Sequence, residues 1–312
     1  MANLDPKAKI HVEMFQILSE FPAMEPEAVR ELLAQAPPLE VELAPLAKVE
    51  DRFIPVGKDE EIRIRVYTPH GEGPFPLFVY YHGGGWVIGS IEMTDASCRM
   101  IANQTGRIVV SVDYRLAPEN KFPVPVEDCY AALQWVHEHA ADINANASNI
   151  AVGGDSAGGN LAAVVAMKAR DEGGPAISAQ VLIYPVTNLD YNTGSYEAFQ
   201  KGFGLDRELM KWFGNHYIAR QEDQTNKYVA PLLADDVSKL PPAFVITAEN
   251  DVLRDEGLAY AERLREAGVT VESMCEEGLV HGYFSNVLIF SERIEAAIGK
   301  IAEFLNENTA GR

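Results

Sequence analysis

Cysteine is nearly absent. Cys98, Cys129 and Cys275 are the only three in 312 residues, and none share a C-x-x-C spacing. That excludes a disulfide framework and a cysteine-based zinc site, and it fits a reducing compartment. Positive charge is scarce as well: Lys and Arg number 26 against 46 Asp and Glu, a net charge of −20. Such a sign repels phosphate backbones and anionic membrane surfaces, so neither nucleic acid nor a membrane is an expected partner. Apolar runs such as 161–167 fall far short of the roughly 20 residues that span a bilayer. The first residues, with Asp5, Lys7, Lys9, His11 and Glu13, contain no apolar core of a secretory signal. A cytoplasmic location is expected. The glycine patterns that cradle nucleotide phosphates, G-x-x-x-x-G-K-[ST] and G-x-G-x-x-G, are also missing, and no cluster of His, Cys or carboxylates has metal-ligand spacing. Neither a cofactor nor a metal is expected.

What remains is an ordinary folding chain, with 47% hydrophobic and 23% charged residues, long enough for one large core with an excursion. Apolar runs rich in β-branched and aromatic residues alternate with segments of helical period. The pattern predicts strands over 61–68, 77–81, 107–113, 149–153, 179–184, 243–248 and 269–274. Val126, Cys129, Tyr130 and Leu133, and later Ile294, Ile298, Ile301 and Leu305, repeat at i, i+3, i+4 and i+7 as core-facing helices do. An α/β fold with a mostly parallel sheet covered on both faces follows. Two stretches break the alternation. Residues 1–48 look helical and precede any expected strand. Residues 188–228 hold no strand but are rich in aromatics, among them Phe203, Trp212 and Phe213, with Leu205 between them. This stretch is too long for a bare loop, so it is expected to form helices of its own.

Gly154, Asp155, Ser156, Ala157 and Gly158 form a G-x-S-x-G pentapeptide. It follows an apolar strand and precedes a helical stretch, the context of a nucleophile elbow. His82 is followed by Gly83, Gly84 and Gly85 directly after another predicted strand. Three glycines cannot pack a core, so bare N–H groups are the expected purpose. Gly83 and Gly84 with Ala157 are the expected oxyanion hole, and His82 organises the loop. Of seven histidines, His281 suits a catalytic base, since it follows the last predicted strand by a short acidic loop. Asp251, just beyond the strand around 244–247, suits the orienting acid; it could also cap the helix expected over 254–267. Asp255 and Glu249 are the alternatives. Ser156, Asp251, His281 and the glycine triplet each lie past the carboxyl end of a different predicted strand, where open α/β sheets place their ligands.

With these residues in hand, the chain resembles the hormone-sensitive-lipase-like (bacterial family IV) carboxylesterases of the α/β-hydrolase superfamily, over about residues 50–305. His82–Gly85 matches the family's H-G-G-G, Gly154–Gly159 its G-D-S-A-G-G, Asp113–Glu119 its D-Y-R-L-A-P-E, and His281, Gly282, Tyr283 its H-G-F. The family's D-P-L-x-D-E reads Asp251, Val252, Leu253, Arg254, Asp255, Glu256 here, without the proline. The resemblance implies a core of residues 49–187 and 229–312, with 1–48 and 188–228 as a cap over the site, and a role for residues 115–119 in bracing the oxyanion loop. Trp86, Phe203, Leu205, Trp212 and Phe213 are the expected substrate-contacting residues. The function expected is hydrolysis of short- to medium-chain esters through an acyl-enzyme on Ser156, with the ester as partner. Amide, lactone or carbamate cleavage at the same site is the near alternative, and a small-molecule receptor on the same fold the distant one. A homodimer is left open.

Overall fold

In the computed structural model, residues 3–35 and 40–309 are described. The chain begins with helix α1 (Pro6–Met14), a 3-10 stretch (Gln16–Ala23) and α2 (Pro26–Gln35), then enters the sheet through β1 (Lys48–Gly57), β2 (Glu60–Thr68) and β3 (Phe75–Tyr81). There follow α3 (Ile91–Thr105), β4 (Ile108–Val112), α4 (Val124–Glu138), β5 (Ala145–Asp155), α5 (Ala157–Glu172) and β6 (Ala179–Ile183). The insertion carries α6 (Gly194–Ala198) and α7 (Arg207–Tyr217), and the chain ends with β7 (Ala243–Asn250), α8 (Arg254–Glu266), β8 (Val271–Val280) and α9 (Val287–Thr309).

The eight strands form one sheet in the order β1-β2-β4-β3-β5-β6-β7-β8. The β1–β2 and β2–β4 pairs are antiparallel, and every pair from β4–β3 to β7–β8 is parallel. The central strands β4 and β6 are buried along their whole length, as parallel strands covered on both faces must be. On one side they pack with Leu133 of α4, Leu161 and Val165 of α5, and Leu264 of α8. On the other they pack with Ile101 of α3 and with Ile294, Ile298, Ile301 and Leu305 of α9.

Two expectations are corrected. An eighth strand, β1, lies where none was predicted. Its sequence Lys-Val-Glu-Asp-Arg-Phe-Ile-Pro is charged and carries a proline, as edge strands tolerate because one side of the ladder faces water. Phe53 on it is 66% exposed. The acidic stretch before His281 is strand rather than loop: β8 continues through Cys275, Glu276 and Glu277 to Val280. As the other edge strand it can carry charge, and Glu276 is paired with Arg293 of α9. No helix among the described residues is long and apolar enough to cross a membrane.

Candidate active site

The nucleophile candidate stands where strand becomes helix. β5 ends at Asp155, and Ser156 precedes α5 with φ +57° and ψ −118°, a conformation costly for a side chain that bears a Cβ. The turn is held by the Ser156 N–H, which donates to the Ile183 carbonyl at 2.9 Å. The flanking glycine is required by space: a Cβ on Gly158 would lie 1.9 Å from the Tyr81 carbonyl oxygen. Ser156 is 7% exposed.

The turns after β7 and β8 supply its partners. His281 Nε2 lies 2.9 Å from Ser156 Oγ, and its Nδ1 lies 2.7 Å from Asp251 Oδ2. The buried Asp251 uses its second oxygen, Oδ1, to accept the Leu253 N–H at 2.9 Å. The carboxylate thus shapes the turn into α8 and orients the imidazole at once; the helix cap itself is Leu253. The Tyr184 ring packs on His281 with centroids 4.6 Å apart. The alternatives to Asp251 are engaged elsewhere. Asp255 Oδ2 accepts the Ser195 N–H at 2.7 Å, and Glu249 Oε2 accepts the Gly278 N–H at 2.7 Å.

The glycine loop after β3 lies beside this line. His82 stacks on Tyr114 at 4.3 Å, and the Tyr114 hydroxyl donates to the His82 carbonyl at 2.8 Å. The Gly83 N–H donates to Asp155 Oδ1 at 3.0 Å, and the Tyr80 hydroxyl donates to the same oxygen at 2.7 Å. Burial raises the Asp155 carboxyl above its ordinary range, against the pull of these donors. The Gly83 N–H is therefore committed to Asp155. The loop then turns back on itself, with Val87 and Ile88 N–H both donating to the Gly84 carbonyl. Ala157 is the first residue of α5, so its N–H has no acceptor within the helix. The Ala117 N–H braces the loop by donating to the Trp86 carbonyl at 2.9 Å. Arg115 instead grips Asp128 of α4.

The N-terminal helices and the insertion close over the loop. Arg30 of α2 donates Nε–H to the Val87 carbonyl at 2.8 Å, also bonds the Ala117 carbonyl, and forms a two-pronged pair with Glu119. From α7, the Phe213 ring lies over Gly85; a Cβ there, on a residue with φ +59°, would fall 2.2 Å from the ring. Trp86 is fully buried and stacked on Tyr217 at 4.2 Å. Trp212 donates Nε1–H to the Met24 carbonyl at 3.2 Å, joining α7 to the N-terminal segment. Leu205 is buried, and Phe203 is half-buried against Phe199 at 5.0 Å. Of the five residues expected to contact substrate, Trp86 and Phe213 thus sit in the packing between α7 and the glycine loop, Trp212 faces the N-terminal segment, and Phe203 packs within the insertion. Two surface depressions, about 450 Å³ beside Phe122 and Arg220 and about 290 Å³ beside Arg170 and Pro241, share no residue with Ser156, Asp251 and His281.

Residues that sequence reasoning passed over also frame the site. Tyr184 ends a predicted strand, Asp155 is a variable position of the pentapeptide, and nothing in the sequence singles out Arg30. Glu256 of α8 is fully buried, and its Oε1 accepts the Thr187 and Asn188 N–H groups at 2.7 and 3.1 Å. In the sequence Glu256 enters only as the last residue of the segment matched to D-P-L-x-D-E; its burial in the first turn of α8 leaves no periodic signal. Among the described residues no group of three or more His, Cys, Asp or Glu side chains is placed to hold a metal ion.

This architecture, with a strained serine after a central parallel strand and a histidine and an acid after later strands, defines an α/β-hydrolase. A family described as alpha/beta hydrolase fold matches residues 78–285, and the chain belongs to that family, in its hormone-sensitive-lipase-like branch. It is similar to Carboxylesterase NlhH of Mycobacterium tuberculosis, at 40% identity over 299 residues, 94% of this chain and 93% of the relative. It is similar to an arylesterase of Saccharolobus solfataricus, at 41% identity over 261 residues, 83% of each. Among solved structures, a thermostable esterase from Pseudomonas putida ECU1011 superposes with a TM-score of 0.92 at 34% identity, over 100% of this chain and 99% of that one.

Proposed function

We propose that the chain is a serine carboxylesterase. The observation that carries this reading is the unbroken contact line from Asp251 Oδ2 through both ring nitrogens of His281 to Ser156 Oγ, at 2.7 and 2.9 Å. With Nδ1–H directed at Asp251, the Nε2 lone pair faces the serine hydroxyl. His281 takes that proton as Ser156 Oγ attacks the ester carbonyl, and Asp251 stabilises the imidazolium that forms. The proton passes to the leaving alcohol; water, deprotonated by the same imidazole, then releases the acid from the acyl-enzyme. For the oxyanion we propose the N–H groups of Gly84 and Ala157. The Gly83 N–H, bonded to Asp155, is better replaced by that of Gly85 as the third donor. Each such donor contributes about 3 kcal/mol to lowering the barrier.

The names of the relatives support ester over amide or lactone as the bond cleaved. We further propose that residues 1–48 and 188–228 act as a cap, that its apolar side chains favour short to medium acyl chains, and that the protein works in a reducing, cytoplasmic compartment, as its three free cysteines suit. A p-nitrophenyl ester assay combined with an organophosphate label tests the core of this reading. Stoichiometric labelling on Ser156 with loss of turnover is expected, and label on another residue with activity abolished would refute it.

A further inference from the structure

We propose that Arg30, carried on α2 of the N-terminal segment, is a positioning residue for the Gly85 N–H, acting through two hydrogen-bond chains that meet on the Gly84 carbonyl. This rests on the reading of Ser156 as the nucleophile and of the Gly85 N–H as a donor to its oxyanion. It gives α2 a task in the chemistry beyond covering the site.

The first chain runs through two peptide units. Arg30 Nε–H donates to the Val87 carbonyl at 2.8 Å. The N–H of that same peptide belongs to Ile88, and it donates to the Gly84 carbonyl at 2.9 Å. The second chain starts from the other arm of the guanidinium, whose Nη2 bonds the Ala117 carbonyl. The Ala117 N–H donates to the Trp86 carbonyl at 2.9 Å, and the N–H of that peptide, on Val87, donates to the Gly84 carbonyl at 3.1 Å. Both chains therefore end on one oxygen. In a trans peptide the N–H points opposite to the C=O. With the Gly84 carbonyl drawn into the turn by two donors, the Gly85 N–H is turned outward, as an oxyanion donor must be. Peptide units linked in this way also polarise one another, and a guanidinium at the head of the chain adds its charge to the effect.

Gly84 and Gly85, at φ +111° and +59°, have no side chains through which packing could set this peptide plane, and glycine explores more backbone conformations than any other residue. Hydrogen bonds must hold it. Arg30 is itself well seated. Its neighbour Val29 is fully buried in the same apolar cluster as Trp86 and Val87. Its Nη1 and Nη2 form a two-pronged pair with the Glu119 carboxylate, at 2.9 Å each. The Glu119 side chain is 55% exposed, and an ion pair so open to water contributes little by itself. The pair aims the guanidinium, and the carbonyl bonds pass its position to the loop.

Arg30→Lys and Glu119→Gln separate the two contributions. Lysine keeps the charge beside Glu119 but is a compact ammonium that cannot reproduce the planar fork across the Val87 and Ala117 carbonyls. Glutamine at 119 removes the ion pair and leaves Arg30 its carbonyl bonds. The readouts are kcat and KM for p-nitrophenyl acetate, with active sites counted by organophosphate titration so that unfolded protein is left out, and Ki for a trifluoromethyl ketone. Ser156 Oγ adds to the carbonyl carbon of that ketone, and the resulting oxyanion reports on its donors directly. In Arg30→Lys kcat should fall roughly tenfold, a fraction of the loss caused by removing one oxyanion donor outright, with KM within about twofold. Ki should rise by the same factor, since the adduct resembles the transition state. Glu119→Gln should stay within about threefold of wild type on both measures. Unchanged kcat and Ki in Arg30→Lys, a loss confined to KM, or equal losses in the two variants would each overturn the proposal. Ser156→Ala, run alongside, isolates the reading beneath it. If that variant keeps its turnover, Ser156 is not the nucleophile and the inference falls with it; if it is inactive, the Arg30 and Glu119 variants alone decide the positioning role.

Discussion

The Asp255 carboxylate accepts the Ser195 N–H at 2.7 Å, and this bond turns it toward the insertion and away from His281. Asp251, four residues earlier, is the carboxylate that meets the imidazole. The missing proline in this turn has not moved the acid, because the Leu253 N–H holds Asp251 Oδ1 in its place. Asp251→Asn should lower kcat by on the order of 10⁴, since an amide stabilises the wrong imidazole tautomer. Asp255→Asn should stay within about tenfold of wild type and act through looser packing of α6, an effect of the size usual for one charged hydrogen bond. Steady-state kinetics on the two variants check this ranking, and a larger loss at Asp255 would reverse the assignment.

Ser156→Ala should remove at least about a thousandfold of kcat while the thermal midpoint holds or rises, because triad members act as one unit and the loss is of chemistry. The backbone strain at φ +57° persists in alanine. Circular dichroism melting beside the ester assay separates a lost nucleophile from a lost fold. A variant retaining a tenth of wild-type kcat would rule out covalent catalysis at this residue.

Much of this was legible in the sequence because the signals were local. The central strands are short runs of buried residues between turns, and the pentapeptide and the glycine triplet are each contiguous motifs that stand at the carboxyl end of a strand. The edges were less visible. β1 and the second half of β8 carry charges that the pattern of buried strands rejects, since a strand with one free side obeys weaker rules. The Gly83 N–H illustrates another limit: its capture by Asp155 joins residues 72 positions apart, and no spacing announces it. Arg30 and Glu256 belong to the same class, side chains whose partners come from distant turns.

Glu256 gives a pH signature of folding. Burial, joined by the nearby charges of Asp251 and Asp190, pushes its carboxyl from 4.5 up to about 8, against the pull of the Thr187 and Asn188 N–H groups. Below pH 4.5 the folded and unfolded chains both hold this proton. Between there and about 8 only the folded chain holds it, so stability drawn from this group falls as pH rises and is lost above its folded pKa. In Glu256→Gln that dependence disappears, at the fixed cost of burying an amide nitrogen. The melting temperature of wild type should therefore fall relative to Glu256→Gln as pH is raised from about 5 to about 8.5, then run parallel to it. A constant gap across that range would mean that Glu256 is ionised in the fold throughout.

The insertion's aromatic side chains should set acyl-chain preference. Trp212 ties α7 to the N-terminal segment through the Met24 carbonyl, and Phe213 seats the same helix on Gly85, so in the proposed cap the wall offered to an acyl group would rest on the glycine loop. Each methylene buried against such a wall contributes about 0.8 kcal/mol. kcat/KM should therefore climb with chain length until the space under the cap is filled. Beyond that point, added carbons must remain in water or separate α7 from the loop, and turnover should fall. Phe203→Ala removes a half-buried ring that packs on Phe199 and should move the optimum to longer chains. Trp212→Ala loses the Met24 bond as well and should flatten the profile by loosening the two cap segments from each other. If these aromatics serve packing alone, both substitutions lower the melting temperature and leave the shape of the profile unchanged. The measurement is kcat/KM across C2 to C12 p-nitrophenyl esters for wild type and both variants, at a temperature where all three remain folded. Profiles that superimpose after scaling would remove Phe203 and Trp212 from the specificity wall; a shifted optimum in the first and a broadened one in the second are expected.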